Sequence, residues 1–418
     1  MRLIRSLLRN PRILAFLDQV SFSLGNFVVL MAFARGFSPV EFAGYGIGFA
    51  VAILLQSVYR IAFVVPMALV PEATFAAERR GYAGQHVLIV GGLLAASALA
   101  WLATLALPVP PLAVASAIAA FSILSSFLPQ DFERTFLLRT GHQAQALLAS
   151  LAFLALTLVS AGLVALHAAP FTGIMLLFWL FGVVRTALAI RRAPGADLAR
   201  GRALIEASVR AGSASWNMLG TVASSGFTHI PLFILSFFAP AINVAAFTAV
   251  RAPMQPMQIV VRSLDLVDKV VFGRIDPDDR VARHRHLRRT YLLYLAVGLI
   301  GAILIGAFAG PLISLMFGTK YAGFEGTMRL WGAMFVLISS ALPLETAILS
   351  AGHYRGYALM QCAGGALAVV VAFPLSHYQF DFGAVLACLI GWSLTYAMLA
   401  TRVYLIIARN EDREHPIG

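Results

Sequence analysis

Apolar runs of about twenty residues follow one another along this chain from end to end, each long enough to cross hydrocarbon as a helix. A segment immersed in lipid has no water to satisfy its backbone N–H and C=O groups, so the helix has to satisfy them itself. The runs predict spans at about 13–34, 42–68, 86–107, 112–129, 146–167, 171–190, 208–238, 241–271, 290–309, 326–350, 356–376 and 382–408. Only 12% of residues are charged, against about 25% in a soluble domain. The expected class is an all-α polytopic membrane protein with about twelve transmembrane helices.

The runs are written twice. Gln56-Ser-Val-Tyr-Arg60 and Gln258-Ile-Val-Val-Arg262 share one pattern at an offset of 202 (258 − 56). Phe37-Ser-Pro39 matches Phe238-Ala-Pro240, and Tyr45 aligns with Phe247. Leu128-Pro129 is echoed by Leu342-Pro343, and Leu138-Arg-Thr-Gly141-His142 by Leu349-Ser-Ala-Gly352-His353 at an offset of 211 (349 − 138). The chain therefore reads as two six-helix bundles, about 1–195 and 203–418, joined by the polar stretch Arg191–Asp197. An even number of spans per half makes this a parallel repeat, an arrangement that builds transporters around a central cavity.

The net charge of +12 does not indicate nucleic acid. The basic residues gather in alternate loops: Arg2 to Arg12, Arg79 and Arg80, Arg134 and Arg139, Arg191 to Arg202, Arg274 to Arg289, Arg355, Arg409 and Arg413. The intervening loops are nearly free of them, with Arg35, Lys320 and Arg329 on that poorer side. This is the positive-inside pattern, and it places both termini in the cytoplasm. Cys362 and Cys388 fall inside spans and read as small packing residues. Ala32-Phe-Ala34 faintly resembles a signal cleavage site, but Asp18, Gln19 and Asn26 argue for a retained first helix.

Charge inside the spans is where chemistry is expected. An arginine cannot shed its proton, and near a bilayer centre it costs about 2.5–3.5 kcal/mol on the mildest scale. Four-residue spacing sets Gln56 with Arg60, and Gln258 with Arg262, on one helical face. These pairs either border a polar lumen or snorkel toward headgroups on the cytoplasmic side. Arg251 lies about ten residues into the eighth span, roughly 15 Å at 1.5 Å per residue, followed by Pro253 and Pro256. Those prolines break the helix, so Arg251 either faces a substrate or binds the carbonyls they free. Asp18, two turns into the first helix, is either an ion-coupling carboxylate or the counter-ion of Arg60. Asn26 and Asn217 are weaker polar candidates, and His229 before Pro231 reads as a packed residue. Asp131-Phe-Glu133 beside Arg134 reads as a solvated helix end.

Other signals carry less. Gly44-x-Gly46-x-Gly48 fits close helix packing rather than a phosphate loop. His284-x-His286 lacks partners at ligand spacing; the loop around it reads as a connector held near anionic headgroups. No Walker sequence, catalytic triad spacing, cofactor motif or metal set is visible, so a non-enzyme is expected.

Ala34-Arg-Gly-Phe-Ser-Pro39-Val-Glu-Phe-Ala-Gly-Tyr45 resembles the signature that opens helix two in polysaccharide-biosynthesis flippases of the multidrug/oligosaccharidyl-lipid/polysaccharide exporter superfamily. Leu315-Met-Phe-Gly318-Thr-Lys-Tyr321, with the span ending Leu349-Ser-Ala-Gly352, is similar to its second-half counterpart. Many members of that family have fourteen spans rather than twelve. The resemblance implies an alternating-access flippase that moves undecaprenyl-pyrophosphate-linked oligosaccharide from the cytoplasmic to the periplasmic leaflet of the bacterial inner membrane. It implies basic cavity residues, here Arg60, Arg251 and Arg262, with Gln56 and Gln258 beside them and Asp18 as the coupling site. The implied partners are the lipid-linked anionic glycan, the bilayer and glycan-assembly membrane proteins. A multidrug exporter on the same scaffold is the alternative; its cationic substrates would want an anionic or aromatic cavity. A membrane polymerase or ligase would want a sizeable periplasmic loop.

Overall fold

The computed structural model describes residues 11–106, 108–192, 195–210, 212–275 and 279–411. Every regular element among them is helical. The chain is an all-α polytopic membrane protein. Arg2, Arg5, Arg9, Arg413 and Asp276 lie outside the described residues, as do the side chains of Asn217 and Arg262.

Contacts divide the chain into two compact units, Met1–Met218 and Leu219–Gly418. The first holds α1 (Pro11–Gly36), α2 (Pro39–Tyr59), α3 (Glu72–Ala106), α4 (Pro111–Arg139), α5 (Gln143–Ala165) and α6 (Phe171–Arg192), then a short amphipathic α7 (Leu198–Arg210). A π turn, Arg60–Val64, and a short segment, Val65–Leu69, prolong α2. The second unit takes α8 (Gly212–Phe238) from Leu219 onward, then α9 (Ala241–Ala249), α10 (Gln255–Arg274), α11 (Arg280–Phe317), α12 (Glu325–Ser350) and α13 (Tyr354–Glu411).

Among the described residues, eight helices are long and apolar enough to cross a bilayer as they stand. One of them, α13, is two spans: Phe380 sits at φ 47° and breaks it into limbs 354–379 and 381–411. The bent α8 adds a ninth if its two limbs are one span, and α1 holds a shorter apolar stretch, Val20–Gly36.

Local chemistry explains the elements that matter for the site. Ser38 and Glu41 form a reciprocal capping box: the Ser38 N–H donates to Glu41 Oε2 (2.9 Å) and the Glu41 N–H to Ser38 Oγ (3.3 Å). With Pro39 in the first turn, the signature segment starts α2 sharply. Its glycines form a contact seam, as expected. A Cβ on Gly44 would lie 2.4 Å from the Ala115 Cβ, and one on Gly48 2.6 Å from the Ala119 Cβ, so α2 and α4 meet backbone to backbone.

One expected boundary changes. The apolar pattern ends the fourth span at residue 129, but α4 runs unbroken through Pro129 to Arg139. Its last ten residues are helical because neighbouring helices satisfy their polar side chains, which a hydropathy pattern cannot register.

Candidate functional site

In the first unit the buried polar groups meet on one helix. Four side chains of α4, within a turn and a half, each reach a different neighbour. Gln130 donates to Ser150 Oγ on α5 (3.4 Å). Asp131 accepts from Gln56 Nε2 on α2 (2.7 Å). Glu133 forms an ion pair with Arg185 on α6, both buried. Arg134 forms an ion pair with Asp18 on α1, its Nε donating to Oδ2 (2.7 Å). Between them Phe132 stacks on His86 of α3 (centroids 4.0 Å apart, planes 8° apart), and His86 Nδ1 meets the Tyr59 hydroxyl of α2 (3.0 Å). A five-residue stretch of α4 therefore touches all five other spans of its unit.

This corrects two expectations. Asp18 is not the counter-ion of Arg60; its oxygens take Arg134 and the Ser150 hydroxyl. Asp131 and Glu133 are not a solvated helix end, being 8% and 2% exposed. Glu133 is matched by the Arg185 guanidinium, and Asp131 by the Gln56 amide.

The duplicated Gln-x-x-x-Arg motif is split by its surroundings. Gln56 turns to Asp131, whereas Arg60 is exposed and opens the π turn, its N–H donating to the carbonyls of Gln56 and Ser57. Gln258 is half-buried on α10, and Arg262 lies one turn further along.

Arg251 occupies a break, as its prolines predict. It follows α9 and precedes a 3₁₀ turn, Ala252–Met254, before α10 begins. The Met254 N–H donates to the Arg251 carbonyl (3.2 Å). Its half-buried guanidinium carbon lies 5.3 Å from the Trp331 ring centroid, and Trp331 packs edge-on against Phe247 (5.2 Å). An aromatic face holds a guanidinium without neutralising it. His229 is buried, as its packed reading requires. Cys388 is buried, Cys362 half-buried, and both are unpaired.

Two acid clusters of the second unit escaped the sequence reading. Asp381, just after the Phe380 break, accepts from Asn243 Nδ2 (2.7 Å) and Thr327 Oγ1 (2.5 Å). Glu345 on α12 accepts from Gln361 Nε2 on α13 (3.1 Å). The second had a signal: Pro129 and Pro343 each precede an acid by two residues, Asp131 and Glu345.

This architecture recurs over nearly the full length of solved transporters. A multidrug resistance MATE family transporter of the MOP superfamily, inward-facing, superposes with a TM-score of 0.71 at 13% identity, covering 95% of this chain and 99% of that one. The fold is that of MOP-superfamily transporters. The lipid II flippase MurJ, inward closed, gives 0.69 at 11% identity over 96% of this chain and 90% of that one. A MOP superfamily transporter from Pyrococcus furiosus, noted for the reversed polarity of its binding pocket, gives 0.58 at 14% over 96% and 97%. No family model matches the sequence, and no curated protein matches it. At these identities the likeness is one of fold.

Proposed function

We propose that this protein is a membrane transporter, not an enzyme, and that it flips undecaprenyl-pyrophosphate-linked oligosaccharide from the cytoplasmic to the periplasmic leaflet of the bacterial inner membrane. The observation that carries the reading is Arg251, a permanent cation placed at a helix break within a span and held by an aromatic face. A pyrophosphate is the ligand that a guanidinium fork suits best. Arg60 and Arg262, toward the cytoplasmic side by the loop-charge pattern, would meet the newly assembled headgroup first, with Gln258 on the same face as Arg262. Among proteins of this fold one acts as a lipid II flippase. In another, reversed pocket polarity accompanies a suggested change of function, so cavity charge is a sensible discriminator within the scaffold.

A cation-coupled multidrug exporter is the second reading, favoured by the likeness to a MATE transporter. The excess of arginine within spans argues against cationic cargo. Complementation of a flippase-deficient strain separates the two. Hydrogen bonds to a charged group are worth about 1.5–3 kcal/mol, so R251A should lower glycan export by about tenfold or more, and R60A by less. If wild type and both variants complement equally, or wild type raises drug resistance instead, the flippase reading is wrong.

A further inference from the structure

α11 is longer than a span needs to be. Its 38 residues extend about 57 Å at 1.5 Å per residue, against a hydrocarbon thickness of about 30 Å. The surplus lies at its start, where Arg283, Arg285, Arg288 and Arg289 cluster; no charged residue follows Arg289 until Lys320. Just past the cluster the Tyr291 hydroxyl meets that of Tyr396 on α13, and tyrosines mark the level where headgroups give way to hydrocarbon.

The side on which α11 packs fixes its rotation. The Arg283 guanidinium lies over the Phe272 ring of α10 (4.8 Å to the centroid), and the His286 ring approaches the same ring (5.9 Å). The Tyr294 hydroxyl donates to Asp268 of α10 (2.8 Å), and a Cβ on Gly298 would lie 3.0 Å from the Val336 Cα of α12.

The other side is bare. Arg285, Arg289, Leu292, Ala296, Leu299 and Ile303 are all exposed. They are spaced by alternating steps of four and three, so at 3.6 residues per turn they form one line along the helix. Two guanidiniums one turn apart head the line, with exposed Arg288 beside them. Among the described residues no acid pairs with any of the three. From Leu292 to Ile303 the line runs on for roughly 17 Å at 1.5 Å per residue, about the hydrocarbon depth of one leaflet. It carries no polar side chain, which suits acyl chains rather than a water-filled lumen.

The first unit covers the corresponding end of its third helix with protein. α3 also overruns the bilayer, with Arg79 and Arg80 exposed, but α7 lies against it: Arg200 pairs with Glu78, and the Asp197 N–H donates to the Arg80 carbonyl (3.0 Å).

We propose that this face of α11 is a binding site for an anionic phospholipid of the leaflet in which the helix begins, the cytoplasmic one by the loop-charge pattern. Arg285 and Arg289 take the headgroup phosphate, which a guanidinium fork fits, Arg288 adds charge beside it, and an acyl chain follows the aliphatic line. The site is independent of the substrate proposed above, and its probe is phosphatidylglycerol, not that substrate.

The test places a tryptophan on the line, Leu299→Trp, in the full chain reconstituted in phosphatidylcholine vesicles, with the fluorescence of the unsubstituted chain subtracted. Brominated phosphatidylglycerol should quench this reporter at a concentration about tenfold or more below that of brominated phosphatidylcholine. The exposed pair R285Q/R289Q should abolish the preference, since each arginine contributes about fivefold, whereas R79Q/R80Q should keep it. Equal quenching by the two lipids overturns the proposal, as does a preference that survives R285Q/R289Q. A preference lost equally in R79Q/R80Q would mean a general effect of net charge, and one abolished by inorganic phosphate at constant ionic strength would mean a free-anion site; either outcome also overturns it.

Discussion

The two units handle buried acid in opposite ways. In the first, Asp18 and Glu133 are matched with Arg134 and Arg185, and a single helix carries one member of each pair. In the second, buried Asp381 is held by an amide and a hydroxyl, half-buried Glu345 by an amide and a phenol, and half-buried Asp268 by a phenol. Guanidinium pairs fix a charge and, with it, the helices that bear it. Neutral donors satisfy a carboxylate without committing it to stay ionised. Among the described residues, Asp131, held by Gln56, breaks the rule in the first unit, and Asp265, paired with Lys269, breaks it in the second.

The contrast is most exposed at Glu133–Arg185. Removing one member strands a buried charge at about 3–5 kcal/mol, so Glu133→Ala or Arg185→Ala should lower unfolding stability in mixed micelles by that amount. The double change Glu133→Leu with Arg185→Met should recover most of the loss, because no lone charge remains. Asp381→Ala should cost less, about 1–3 kcal/mol, the penalty for leaving Asn243 and Thr327 without an acceptor. Equal losses at Glu133 and Asp381 would erase the distinction. The smallest effect belongs to Ser38→Ala, about 1 kcal/mol for a lost N-cap. It too separates the halves, since the repeat places Ala239 and Ile242 where the first unit has Ser38 and Glu41.

Much of this was legible in the sequence, for identifiable reasons. Hydropathy located the spans because lipid exposure acts on every turn of a helix. The interruption after Arg251 was legible because Pro253 and Pro256 act on their own backbone. The signature around Ser38 and Glu41 is likewise local, and the structure shows it to be a cap and a glycine seam. Partner choice was not legible. Asp18 meets Arg134 across 116 positions, and no spacing rule connects them. Asp131 and Glu133 misled because charges adjacent in sequence suggest a shared solvated surface, whereas on a helix they point to different neighbours.

The break at Phe380 has a mechanical consequence. A continuous helix of 58 residues would extend about 87 Å at 1.5 Å per residue, nearly three times the hydrocarbon thickness of about 30 Å. The chain instead reverses around one residue, and the approach is so close that a Cβ on Gly383 would lie 2.0 Å from the Leu375 carbonyl oxygen. With no slack between the limbs, neither can slide along its axis without carrying the other. The two limbs are therefore joined at Phe380 with no loop between them.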